Sequence, residues 1–241
     1  MDGIINVYKE AGFTSHDVVA KLRGICRQKK IGHTGTLDPQ AIGVLPVCLG
    51  SATRACEMLT DRTKEYVAEL LLGKITDTQD TTGTVLEERE VAVDEAQVRE
   101  VIGSFVGGYD QIPPMYSALK VNGKKLYELA RAGKEVERQA RHVDLPAIEI
   151  LEIRLPVVKF RVECSKGTYI RSLCADIGGK LGCGGTMQSL VRTRVGEFRL
   201  TDALTLTQLQ ELRDTDRLEE ALLPTDRIFA DFNAVHVEEK W

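Results

Sequence analysis

Strand-like and helix-like segments follow one another along this chain without a regular βαβ rhythm, and this irregularity most constrains its fold. IINVYK near the N-terminus reads as a short apolar strand. Thr14 and Ser15 can cap a helix over about 16–27, with Val18, Val19, Leu22, Ile25 and Cys26 on one face. VLPVCLG is a buried strand ended by Gly50, and ATRACEML a short helix. EYVAELLLG is a strand whose imperfect alternation predicts burial on both faces. TTGTVLEERE reads as an exposed strand with its turn, and Asp94 with Gln97 as a capping box opening a helix to about Phe105. LPAIEILEIRLPVVKFRVECS holds two β-rich segments separated by Pro156. A helix from about Thr168 to Leu181 follows, then the turn GCGG, a strand near VGEFRL, and helical stretches from the Thr205/Gln208 capping pattern and over Arg217 to Leu222. The mixture predicts α+β: a mixed sheet flanked by helices.

A length of 241 residues suits one large domain, or one with an insertion and a small appendage. The insertion is visible as a change of character over about 110–143, DQIPPMYSALKVNGKKLYELARAGKEVERQARHV, which is basic and carries two adjacent prolines. Its Asn122-Gly123 pair is a strong hairpin signal.

The net charge of −4 argues against a nucleic-acid binder, but its distribution does not. Residues 1–60 carry +2, 61–119 carry −7, 120–172 carry +5 and 173–241 carry −4. Two basic blocks can attract phosphates on an acidic chain; ordinary solvated lysines are the blander alternative. The six cysteines form no C-x-x-C pair and sit mostly among apolar neighbours, so reduced, buried thiols are expected and a zinc site is not. No long apolar run suggests a transmembrane helix, and MDGIINVYKEAG does not read as a secretory signal, so a cytoplasmic location is expected.

GHTGTLDP, residues 32–39, sets one carboxylate, Asp38, among glycines and threonines. Asp-Pro is a good helix cap followed by a first-turn proline, and on the residues alone that bland reading is slightly favoured. Against it, Gly43 and a strand follow at once, Pro39 biases Asp38 away from helical dihedrals, and Gly32 and Gly35 allow close approach or positive φ. In GTYIRSL, Tyr169 and Arg171 fall in the first turn of a helix, where the dipole opposes a cation, so Arg171 calls for a carboxylate or phosphate partner. A bidentate pair with Asp38 would keep that carboxylate ionised. Tyr66, at the start of a strand beside Lys64, is either a half-buried strand residue or a stacking surface, as are Tyr169 and His33 for an unpaired base. Lys9 ends a strand before a glycine turn, where a solvated lysine is the ordinary reading. Lys120, Lys124, Lys125 and Arg131, interleaved with Tyr116 and Tyr127, suggest an RNA-facing hairpin and helix, with a merely stable hairpin close in weight.

YKEAGFTSHDVV, KKIGHTGTLDPQAIGVLPVCLG, TKEYVAELLLG, QIPPMYSALKVNGKKLYELAR, CSKGTYIRSLCADIG and SLVRTRVGEF together resemble the tRNA pseudouridine-55 synthases, in family order over about residues 3–200. The resemblance implies a pseudouridine-synthase-like, largely antiparallel sheet with a projecting RNA-binding insertion. It divides the chain into a catalytic domain over 1–225 and, at 226–241, the start of a C-terminal segment of PUA type whose domain is absent or truncated. It implies isomerisation of uridine 55 in the T-loop of tRNA, with the T-arm as partner, no metal or soluble cofactor, no membrane, no protein partner and a monomeric enzyme. Asp38 matches the catalytic aspartate, Tyr66 the tyrosine that packs on the target base, and Arg171 the arginine paired with the aspartate. Tyr169 matches a pocket residue, His33 the histidine that helps displace the base's pairing partner, and Lys9 and Leu190 further pocket positions. Departures from the family pattern are Glu10 in place of a proline, Val191 where arginine is frequent, and Met187 near a position often held by histidine. From a different functional class, an RNA chaperone that opens the T-arm without chemistry is the alternative. A hydrolase finds little support, because no second acidic motif accompanies Asp38.

Overall fold

The first strand, β1 (Gly3–Lys9), is buried along nearly its whole length, and α1 (Ser15–Ile25) follows it in the computed structural model, which describes residues 1–121 and 123–229. Thr14 caps α1 in a capping box with Asp17, so the helix begins where the sequence predicts. The chain then runs through β2 (Ile31–His33), β3 (Ile42–Leu49), a 3₁₀ turn, α2 (Cys56–Thr60), β4 (Lys64–Leu72), β5 (Lys74–Thr76) and β6 (Val85–Glu88). Next come α3 (Glu95–Gly103), β7 (Tyr109–Gln111), β8 (Lys120–Val121), β9 (Lys124–Lys125), α4 (Leu126–Arg131) and β10 (Arg141–Val143). Last are β11 (Ala147–Arg154), β12 (Val157–Cys164), α5 (Ile170–Lys180), β13 (Gly185–Val195), β14 (Phe198–Arg199) and α6 (Leu206–Asp214). The architecture is α+β, with mostly antiparallel strand pairing. Among the described residues no helix is long and apolar enough to cross a membrane.

Two compact units emerge, one of residues 1–62 with 195–241, the other of residues 63–194. In the first, β3 pairs antiparallel with both β1 and β2, with Lys9 opposite Gly43 and His33 opposite Val47. α1 and α6 pack together, and Val18, Val19, Leu22 and Ile25 meet Ile5, Val7, Leu45, Val47 and Leu209 in one apolar cluster. The helix stripe anticipated from the sequence is therefore this unit's core.

In the second unit the strands lie in the order β13, β4, β12, β11, with α5 packed against β4 and α3 against both α5 and β11. β4 corrects its sequence reading. Lys64, Tyr66, Ala68, Leu70 and Leu72 form a buried face and the alternate residues are half-buried, so one face is covered far better than the other. The strand expected near VGEFRL is only the short β14, and the long β13 lies ahead of it, where no strand was expected. Its sequence hides it, because Arg192 is buried within the strand while Gln188 and Ser189 are both exposed. In the basic segment, β8 and β9 form a hairpin with Val121 opposite Lys124 and Gly123 at φ +80°. Asn122, expected as its turn partner, lies outside the described residues, as do residues 230–241 of the expected PUA-type segment.

Candidate functional site

In the first unit the β2–β3 connection is the stretch that contains Asp38. It forms no helix: residues 39 and 40 make a turn closed by Ala41 N–H donating to the Asp38 carbonyl at 3.1 Å. The helix cap slightly favoured on the residues alone is thus corrected, since the strand begins at Ile42 and leaves no length for a helix. Gly35 turns at φ +145°, a backbone region that disfavours side chains. Gly32 serves close approach instead, because a Cβ there would meet the Cys56 sulfur at 3.3 Å.

The backbone on both sides of Asp38 is tied down. Before it, Leu37 N–H donates to Ser15 Oγ at 2.9 Å, and that buried hydroxyl comes from the first residue of α1. Thr34, also buried, donates through Oγ1 to the Pro46 carbonyl at 3.0 Å. After it, the Pro39 carbonyl accepts from Gly12 N–H at 2.9 Å and from Lys9 Nζ at 3.1 Å. Lys9 also donates to the carbonyls of Ala41 and Glu10. Asp38 itself is half-buried.

Lys9 is therefore not the solvated lysine its strand-end position suggested. It is 0% exposed, and its ammonium satisfies carbonyls that the loop would otherwise bury. His33 stands at the entry to the same loop, its Nδ1 accepting from Gly35 N–H at 3.3 Å. Lys9, His33 and Asp38 thus belong to one tied loop system.

The second unit gathers Tyr66, Tyr169, Arg171 and Leu190. Tyr66 and Leu190 are buried on the neighbouring strands β4 and β13. Tyr169 is the N-cap of α5, half-buried, and Arg171 is the helix's second residue, 5% exposed. A cation there is opposed by the helix dipole, and its fixed acceptors explain how it is tolerated. The guanidinium donates to the Thr78 carbonyl at 2.9 Å and the Tyr116 carbonyl at 2.8 Å, and its Nε lies 3.9 Å from Asp80 Oδ2. The carboxylate partner demanded by the sequence argument thus includes Asp80, which sequence reasoning missed. Asp80 is itself oriented, since its Oδ1 accepts from the hydroxyls of Thr78 and Thr82 and from Thr82 N–H. The cluster TDTQDTTG carried the signal: an aspartate amid short hydroxyl side chains is a local turn builder.

Cysteines stay peripheral to this chemistry. All six are free, and burial pushes the Cys26 and Cys164 thiols up to about 11 and Cys174 higher still. Cys56 differs: a hydrogen bond from Cys48 lowers its pKa, while the same contact and burial raise that of Cys48. In the basic segment, Lys125 and Arg131 lie over the Tyr127 ring at 5.4 and 5.6 Å, an aromatic–cation cluster on α4 and its leading strand.

Comparison with known proteins adds a family to this geometry. The N-terminal domain of the TruB family pseudouridylate synthases matches residues 23–170, and the C-terminal domain of tRNA pseudouridylate synthase B matches residues 171–230. The chain is 54% identical to a tRNA pseudouridine synthase B of Alkaliphilus oremlandii over 94% of its own length and 75% of the relative's. With that of Lachnoclostridium phytofermentans it shares 56% identity over 100% of its length and 81% of the relative's. Among solved structures, a chain of a Cbf5–Nop10–Gar1 complex superposes with a TM-score of 0.76 at 35% identity, covering 94% of this chain and 61% of that one. A chain of an H/ACA RNP bound to a substrate RNA containing 2′-deoxyuridine gives a TM-score of 0.72 at 33% identity, over 94% and 60%. The present chain thus spans about three fifths of those two structural relatives.

Proposed function

The chain belongs to the TruB family of pseudouridylate synthases, and on that premise we infer that it isomerises uridine to pseudouridine in tRNA, at position 55 of the T-loop. The observation that carries the reading is the loop around Asp38, whose backbone is fixed on both sides by Ser15, Gly12 and Lys9 while its carboxylate stays outside any helix. A carboxylate held this way is oriented before substrate arrives, which is what a covalent or charge-stabilising role requires.

The reaction breaks the N1–C1′ bond, turns the base and joins C5 to C1′. The proton leaves C5, N1 gains one, and no electrons are transferred overall. A uridine inside a folded loop must first leave its stack, so stacking surfaces have to replace what it loses. In this reading Asp38 acts at the glycosidic bond, Arg171 takes the role of the family's arginine, and Tyr66 packs on the base. Tyr169 and Leu190 line the pocket, His33 helps displace the base's pairing partner, and Lys9 acts through the loop it ties. The basic segment over 110–143 grips the T-arm, where counterion release makes affinity fall with salt. The enzyme is taken to work as a monomer in the cytoplasm. The catalytic domain is assigned to 1–225.

Tritium release from C5-labelled uridine in a T-arm RNA tests this. Release by the wild type, lost in Asp38→Asn while binding persists, is the expected result. Binding without release by the wild type would refute the enzyme and leave a T-arm chaperone.

A further inference from the structure

We propose that Gln111 is a positioning residue for the isomerisation, its carboxamide clamping the backbone of Tyr169 so that Tyr169 and Arg171 are presented in fixed geometry; the role rests on the function proposed above. Gln111 ends β7 and is 1% exposed. Two of its hydrogen bonds go to one residue: Nε2 donates to the Tyr169 carbonyl at 3.0 Å, and Tyr169 N–H donates to Oε1 at 2.8 Å. A neighbouring strand pairs with backbone in this way, and here a side chain does so.

The need for it is local. Tyr169 is the N-cap of α5 with extended dihedrals, φ −105° and ψ 109°, and no side chain caps the helix from that position. Its N–H points outside the helix ladder, and a buried donor without a partner is costly. A primary amide offers donor and acceptor side by side at the spacing of a peptide at any pH, whereas a carboxyl does so only when protonated.

The clamp is itself braced. Gln111 Nε2 also donates to the Tyr109 hydroxyl at 2.6 Å, and that hydroxyl donates to Asp176 Oδ2 at 2.8 Å, further along α5. Tyr109 and Gln111 lie two apart on β7 and so share a face. Phe105 meets the Tyr109 ring edge-on with centroids 4.9 Å apart. Each bond has a definite direction, so the amide cannot flip without losing both contacts to Tyr169. One turn of α5 then carries both the Tyr169 ring and the Arg171 guanidinium, and a displacement there propagates to both.

The test uses Gln111→Met and Gln111→Glu in the full chain, with three readouts: amide exchange at Tyr169, single-turnover pseudouridine formation, and T-arm affinity. Gln111→Met is expected to speed exchange at Tyr169 and lower the single-turnover rate roughly 10- to 100-fold, the loss typical of an ångström-scale misplacement. Affinity should stay within about threefold, because T-arm binding is assigned chiefly to the basic segment over 110–143 and not to the pocket. Gln111→Glu can accept but not donate while ionised, so its rate relative to the wild type should rise as pH falls and the carboxyl regains a proton. Around it stand Tyr109 on its own strand, Asp176 on α5, and Arg141, its cross-strand partner on β10, beside the His142–Asp110 pair. Gln111→Met should show no such pH trend. Unchanged exchange in Gln111→Met overturns the clamp. Faster exchange with a wild-type rate, or a loss confined to affinity, overturns the positioning role. Should Gln111→Met fail to fold, Tyr109→Phe keeps the ring beside Phe105 and breaks the brace, with an expected rate loss of roughly 3- to 10-fold. A wild type without turnover refutes the proposed function, while Tyr169 exchange still decides the clamp.

Discussion

Replacing Lys9 by methionine keeps much of the side chain's volume and removes only its charge and donors. Three carbonyls, those of Glu10, Pro39 and Ala41, lose the ammonium, but Pro39 keeps the Gly12 N–H. Two strongly affected acceptors at about 1–3 kcal/mol each set the gross loss. Relief from holding a desolvated cation offsets part of it, since the residue is 0% exposed. A net destabilisation of about 1–4 kcal/mol follows, which is large against a typical total stability. The catalytic consequence is separate. Pro39 follows Asp38 directly, so releasing its carbonyl loosens the peptide that carries the carboxylate. A shift of about 1 Å there corresponds to a rate loss of about 100-fold. Single-turnover tritium release at saturating enzyme, read beside thermal melting and T-arm affinity, separates the two effects. A Lys9→Met protein that melts early yet turns over within roughly twofold of the wild type would refute the positioning argument. Unchanged melting would refute the burial argument as well.

Native alkylation at mildly alkaline pH should modify Cys56 before Cys26, Cys48, Cys164 or Cys174, because its pKa is lowered by Cys48 while theirs are raised; peptide mapping after brief treatment checks the order, and Cys174 labelling first would contradict it. Asp176 has its pKa raised, chiefly by desolvation, although the residue is exposed. A carboxyl that holds its proton more tightly when folded stabilises the fold most at acid pH, and the contribution falls as pH rises from the usual aspartate value of 3.8 through the raised value. Asp176→Asn keeps an acceptor for Tyr109, so it should flatten that part of the stability–pH curve in chemical denaturation. A variant curve parallel to the wild type across the acid range would rule this out.

Three helix starts were legible because their signals lie within three residues of one another. Asp94 with Gln97 and Thr205 with Gln208 each form a capping box, Thr14, read with Ser15 as a cap, closes one with Asp17, and no distant contact is needed to recognise such a start. The Asp38 segment was legible as a loop that presents something, through Gly35 and Pro39, although the cap reading competed with it. β13 was not, because a buried arginine breaks the alternation that marks a half-covered strand.

By itself the sequence determined the mixed α+β character, most helix boundaries and the family motifs. Tertiary structure decided what supports them. Lys9 reaches carbonyls 30 and 32 residues away, Arg171 reaches one 93 away and another 55 away, and Gln111 binds Tyr169 across 58. Side-chain type states how many hydrogen bonds a residue can make, and only the folded chain states which buried backbone groups are left needing them.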